Sequence, residues 1–71
     1  MEYVSLREGE SFIRLGQALK KSGAMGSGAD AKAVILEEKV FVNGEVETRR
    51  GRKLMAGDVV TYEGESFQIA P

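Results

Sequence analysis

Seventy-one residues, with ten Lys and Arg against eleven Asp and Glu, make one small unit of net charge −1, with no room for a second core. The chain has no Cys and no His, which removes disulfides, thiolate and imidazole metal ligands, and the usual nucleophile–base pairs. No apolar run approaches the roughly 18–20 residues of a membrane span and no signal-peptide pattern opens the chain, so the expected location is the reducing cytoplasm.

In chain order, Tyr3-Val4-Ser5-Leu6 alternates as a short strand does, and Glu8-Gly9-Glu10 signals a turn. Ser11-Phe12-Ile13 fits either an extended segment or a helix start. From Arg14 to Ser22 the spacing predicts a helix with Leu15 and Leu19 inward and Gln17, Lys20 and Lys21 outward. Gly23 is placed to end it in a left-handed conformation. Ser27 is a good N-cap with Asp30 three residues on, as in a capping box. The second helix should run to about Glu38, with Ala31, Val34 and Ile35 inward, Leu36 at the edge and Lys32 outward.

Val40-Phe41-Val42 is short and β-branched, so it reads as a strand. Val40 and Val42 share one face. Phe41, on the other, could stack on a base but is more often a core residue in so small a protein. Asn43-Gly44 is a strong hairpin signal, because both central residues of a type I′ turn need positive φ. Glu45-Val46-Glu47-Thr48 is the return strand, with Val46 expected inward. Arg49 to Lys53 is too charged to be buried, and Leu54 should anchor its far end. Ala56-Gly57-Asp58 and Glu63-Gly64-Glu65 are turns around the strand Val59–Tyr62, and Ser66–Ile69 is the last strand. Val59, Tyr62, Phe67 and Ile69 are the expected core residues here. The predicted fold is α+β: residues 1–71 as one domain, two short helices packed on a small, mostly antiparallel sheet.

Catalysis finds little support. The carboxylates are spread over helix ends and strand faces with no pair suited to acid–base work. The glycines of Gly23 to Gly28 follow no strand and precede no Lys-Ser/Thr, so they make no phosphate loop. No cofactor, metal or small-molecule substrate is expected.

The charge distribution is more telling than the net charge. Residues 11 to 62 hold nine of the ten Lys and Arg against six acids, and Arg49, Arg50, Arg52 and Lys53 occupy four of five consecutive positions. Guanidinium groups match phosphate oxygens bidentately, and Gly51 lets the backbone approach a partner. The same cluster also fits a solubilising loop whose arginines pair with Glu37, Glu45 or Glu47. Lys20, Lys21 and Lys32 tilt the reading toward nucleic acid if the helices carry them to the side of the loop, with Arg14 a weaker addition. The scarcity of exposed aromatics favours contact with phosphates and shape in folded or duplex RNA over base stacking.

Ile13-Arg14-Leu15, Gly23, Ser27-x-x-x-Ala31-x-x-x-Ile35, Val40-x-Val42-Asn43-Gly44 and Gly57-Asp58-x-Val60 together resemble, in order and spacing over about residues 13–62, the RNA-binding domain named after ribosomal small-subunit protein S4, also called the αL motif. The free-standing bacterial members are the most similar in length. The resemblance implies a helical pair leading into a β-hairpin unit, and binding of structured RNA, commonly ribosomal or transfer RNA or ribosomal particles. It places Lys32 on the helix presented to RNA and Arg49 to Lys53 in the loop after the hairpin. The chain departs from the family pattern at Gly28, where Arg is common, at Gly16, where Asp is usual, and at Ala33, where a basic residue is frequent. Val-Asn-Gly-Glu with Leu-x-x-Gly-Asp also resembles small β-grasp sulfur carriers, which act through a Gly-Gly tail; the corresponding residues here are Gln68-Ile69-Ala70-Pro71. A β-grasp-like adaptor docking on an acidic protein is the competing expectation. The primary expectation is a non-catalytic RNA-binding module whose RNA-facing residues are Arg14, Lys20, Lys21, Lys32, Arg49, Arg50, Arg52 and Lys53. Removing Arg49, Arg50 and Arg52 should then weaken binding with little change in stability.

Overall fold

The computed structural model describes residues Met1–Pro71. In chain order it contains β1 (Glu2–Ser5), β2 (Ile13–Arg14), α1 (Leu15–Lys21), α2 (Gly28–Leu36), β3 (Val40–Val42), β4 (Glu45–Val46), β5 (Lys53–Leu54), β6 (Val59–Tyr62) and β7 (Glu65–Ala70). Five strands form one sheet in the order β1-β7-β6-β3-β4, and β2 pairs with β5 in a separate ribbon. The sheet is antiparallel except for the β1–β7 pair, and both helices share one apolar core with it. This is the α+β class the sequence predicts. No helix is long and apolar enough to cross a membrane.

The core is built from both helices and the sheet. Leu15, Leu19, Ile35, Val40, Val42, Leu54, Val60 and Ile69 are almost wholly shielded from solvent. Leu15, Ala18 and Leu19 fall on one side of α1, as the i, i+3, i+4 spacing requires. Gly23 closes the turn after α1 at φ 84°. Ser27 caps α2 by accepting from the Asp30 amide at 3.3 Å. The Asp30 carboxylate makes no return bond to Ser27, so half of the capping box forms. The helix ends at Leu36, two residues short of the expected end, because Glu38 turns left-handed at φ 61°.

Both two-residue hairpins are type I′: Asn43-Gly44 at φ 52° and 85°, and Glu63-Gly64 at φ 52° and 77°. Asn43 does more than turn the chain. Its side chain donates to Asp58 Oδ1 at 3.1 Å and accepts from the Val59 amide at 2.9 Å, while Asp58 Oδ2 accepts from the Met55 amide at 2.8 Å. These bonds tie the Asn-Gly and Gly-Asp turns together, which accounts for their joint appearance. Gly44→Val forces a β-branched residue to positive φ, so it should cost about 1–2 kcal/mol, or roughly 4–16 °C in Tm, read by thermal melting.

Four expectations about facing are corrected. Val46 is 44% exposed and Phe41 37% exposed; they are cross-strand partners on the sheet face away from the helices. Glu47, expected outside, is buried at 5% exposure. Val60, not Val59, is the buried residue of its strand. Tyr62 is half-buried and packs on the core's margin.

Candidate nucleic-acid interface

The cationic loop is organised from inside by Glu47. After β4 the Glu47 amide donates to the Val40 carbonyl at 3.0 Å, which continues the hairpin and turns the side chain inward. Its carboxylate accepts five hydrogen bonds: from the Thr48 and Arg49 amides, from Arg49 Nε at 3.1 Å and Nη2 at 2.9 Å, and from Arg52 Nη1 at 3.0 Å. The Arg49 guanidinium is therefore held bidentately. These bonds, those from Arg49 first, outweigh burial and hold the Glu47 carboxyl at about 2, against an ordinary value of 4.5. The same pair raises the Arg49 pKa. Arg49 remains largely solvent-exposed, and Arg52 is half-buried.

The loop is also docked on α1. Arg14, the N-cap residue, offers no capping side chain. The first two helix amides find carbonyls of the loop instead: Leu15 N–H donates to Arg52 O at 2.9 Å and Gly16 N–H to Arg50 O at 3.0 Å. Arg14 Nη1 adds a bond to Gly51 O at 2.8 Å. Gly16 is what permits this approach. A Cβ there would lie 2.6 Å from Arg50 Cγ, so the glycine makes space for the Arg50 stem. On the other side, Arg14 Cζ and Lys53 Nζ lie 5.5 and 4.8 Å from the Phe12 ring centroid, within cation–π range.

Six of the eight expected residues gather in this region. Arg14, Arg49, Arg52 and Lys53 line one open depression with Gly51. Arg14, Lys20 and Arg50 line a neighbouring cleft of about 380 Å³, with Gln17 and three glycines completing its wall. Lys21 is engaged elsewhere: its ammonium donates to Ser5 O at 2.6 Å, and it lines an adjoining depression with Arg7 and Glu10 that shares Gln17 and Lys20 with the cleft. Lys32 is exposed on α2, one turn beyond Gly28 and so on the same helical strip, but it lines neither cationic cleft. Arg49 and Arg52 are not free cations. Because they hold the buried Glu47, their removal should also unsettle the loop, so the stability-neutral triple variant gives way to an expected loss of stability.

Phe12, Gly16, Gln17 and Glu47 also build this region; none is among the eight expected RNA-facing residues, and Glu47 is expected only as a surface partner of the arginines. The largest groove, about 670 Å³, shares no residue with the cationic clefts and carries Glu2, Glu63 and Glu65 with Tyr62 and Phe67. Glu2, Glu63 and Glu65 are thus gathered away from the basic loop, whereas Glu10 borders Lys20 and Lys21. No group of His, Cys, Asp and Glu is arranged to hold a metal ion.

Comparison with known proteins gives this arrangement a family. Residues 4–70 match the family model described as S4 domain. RlbA of Bacillus subtilis (strain 168), named a probable ribosome maturation protein, is 52% identical over 59 residues, covering 82% of this chain and 83% of its own. YbcJ of Escherichia coli (strain K12) is 44% identical over 57 residues, covering 80% of this chain and 81% of its own. The solution structure of YbcJ from E. coli, described as revealing an αL motif involved in RNA-binding, aligns at a TM-score of 0.73 and 39% identity, over 100% of this chain and 89% of that one. With the family model spanning nearly the whole chain, and the helical pair, hairpin and turn motifs all in place, this protein belongs to the S4 domain family.

Proposed function

We propose that this protein is a non-catalytic module that binds structured RNA through the face formed by the loop 49–53 and the start of α1. The observation that carries the reading is the cleft in which Arg14, Lys20 and Arg50 meet without a carboxylate in its wall. Membership of the S4 domain family and the RNA-binding description of the YbcJ structure support it. The name of the B. subtilis relative supports ribosomal RNA, in the course of ribosome maturation in the cytoplasm, as the RNA met in the cell. Lys53, Arg49 and Arg52 extend the cationic face, and Lys32 lies at its margin. Lys21 contributes least, because its ammonium is occupied by the Ser5 carbonyl.

Recognition is electrostatic in this reading, so it must weaken with salt. Neutralising about four phosphates gives a slope of log affinity against log salt near −3 to −4. Titration of a fluorescent ribosomal hairpin between 50 and 200 mM salt measures it. A slope near zero would remove the phosphate mechanism. Binding from cell extract that survives nuclease treatment would point instead to an acidic protein partner.

A further inference from the structure

We infer that the cleft between the starts of α1 and α2 is a discrete seat for one phosphate group, with its centre over Gly28 and apart from the Arg49–Arg52 pair. The inference rests on the RNA-binding reading and narrows it to a particular place and chemistry.

Four observations converge. The cleft has no hydrophobic and no acidic residue in its wall, and Arg14, Lys20 and Arg50 reach it from α1 and the loop. Arg50 and Lys20 have no carboxylate within ion-pairing distance, whereas Arg49 and Arg52 both spend theirs on Glu47. An incoming anion therefore meets open donors in the cleft, and partly satisfied ones at the pair. Gly28 and Gly51 leave backbone in the wall where a side chain would stand, and Gly16 leaves room for the Arg50 stem. Finally, Lys20 Nζ lies 3.9 Å from where a Cβ on Gly28 would stand, so the ammonium covers Gly28 and faces the space a side chain would fill. A volume of about 380 Å³ admits a phosphate with its ester carbons and excludes nothing about the sugar. Arg50 is fixed from below by the Gly16 contact and its own carbonyl bond to α1, so its guanidinium enters the cleft on a short tether. That arrangement lowers the ordering cost of binding.

The chemistry is a phosphate oxygen cluster, supplied by an internal phosphodiester of a folded RNA or by a 5′-terminal phosphate. Two substitutions test the seat without removing any cation. Gly28→Asp puts a carboxylate beside the Lys20 ammonium at the first position of α2, and Gln17→Glu puts one on the exposed side of the first turn of α1. Acids are favourable at both helix starts, so folding is preserved or slightly improved. The probe is inorganic phosphate, titrated at constant ionic strength while the amide resonances of Gly16, Gly28 and Gly51 are followed. The expected result is a saturable shift at these glycines in the native protein, lost at Gly16 and Gly51 in both variants. A hairpin RNA should bind each variant about tenfold more weakly at equal melting temperature. Comparing 5′-phosphorylated and 5′-hydroxyl forms of that hairpin assigns the source: a tenfold preference for the former marks a terminal phosphate, and equal affinity marks an internal one. Shifts that are linear and unsaturated, or largest at Arg49 and Arg52, overturn the seat. So does RNA affinity unchanged in both variants. If phosphate saturates the glycines and no RNA binds, the seat stands and the RNA reading falls.

Discussion

Glu47→Ala should lower the stability of this protein by about 2–3 kcal/mol, a fall in Tm of roughly 10–20 °C for a chain of this size. The carboxylate is buried and satisfies two backbone amides and three guanidinium N–H groups at once. Its loss leaves the Thr48 and Arg49 amides to seek water and frees the loop from its interior anchor. Arg49 is mostly exposed and regains hydration, which keeps the cost below that of breaking a fully buried pair. Glu47→Gln, which keeps an acceptor and loses the charge, should fall between. The pH dependence has a definite sign. The folded-state value, about 2, is below the ordinary 4.5, so the stabilisation is fully present above about pH 5 and is lost as pH falls toward 2. Urea unfolding at pH 7, 4 and 2.5 reads this directly. In Glu47→Gln the acid limb should flatten. A native protein and a Gln variant with the same acid limb would mean that the buried carboxylate does not hold the loop.

Glu47 also shows where the sequence was readable and where it was not. The hairpin was legible because Asn-Gly can hold positive φ at both turn positions. The helices were legible because Leu15, Leu19, Ala31 and Ile35 repeat at helical spacing. The facing of the return strand was legible in principle and misread. A two-residue I′ turn at 43–44 places Val42 opposite Glu45, Phe41 opposite Val46 and Val40 opposite Glu47. With Val40 inward, Glu47 must be inward and Val46 outward. The hydrophobic pattern suggested the reverse because it treats a glutamate as a surface residue. The pattern contains no term for guanidinium partners two and five positions further on. Other features were beyond local reading. The parallel pairing of β1 with β7 joins the two ends of the chain. The cap of α1 comes from carbonyls of residues 50 and 52, so no capping side chain marks that start. Gly16 reads in the sequence only as a departure from the family pattern. Its use became visible only with the Arg50 stem lying against it.

The division of labour among the cations gives the second large effect. Replacing Arg50 and Lys20 together by Ala should weaken RNA binding about a hundredfold at fixed salt, lower the magnitude of the salt slope by about two, and leave Tm within a few degrees. Neither side chain has an acidic partner to orphan, and Lys20 is exposed on α1. The Arg50 carbonyl bond to Gly16 is backbone and survives the substitution. Arg49→Ala with Arg52→Ala removes the same formal charge and should behave differently. Tm should fall by roughly 8–16 °C, for a loss near 2 kcal/mol, because Glu47 keeps its charge in a buried place without its guanidinium partners. Its effect on RNA should be smaller once binding is measured well below the melting transition, since those two arginines already share their donors with Glu47. Adding Glu47→Gln to that pair should restore part of the lost stability and leave RNA affinity where it was. If both pairs instead weaken RNA equally and neither moves Tm, the cations act as a diffuse cloud and the internal carboxylate has no part in sorting them. If the two pairs separate as described, one buried acid divides the loop into arginines that build it and cations that meet the phosphate.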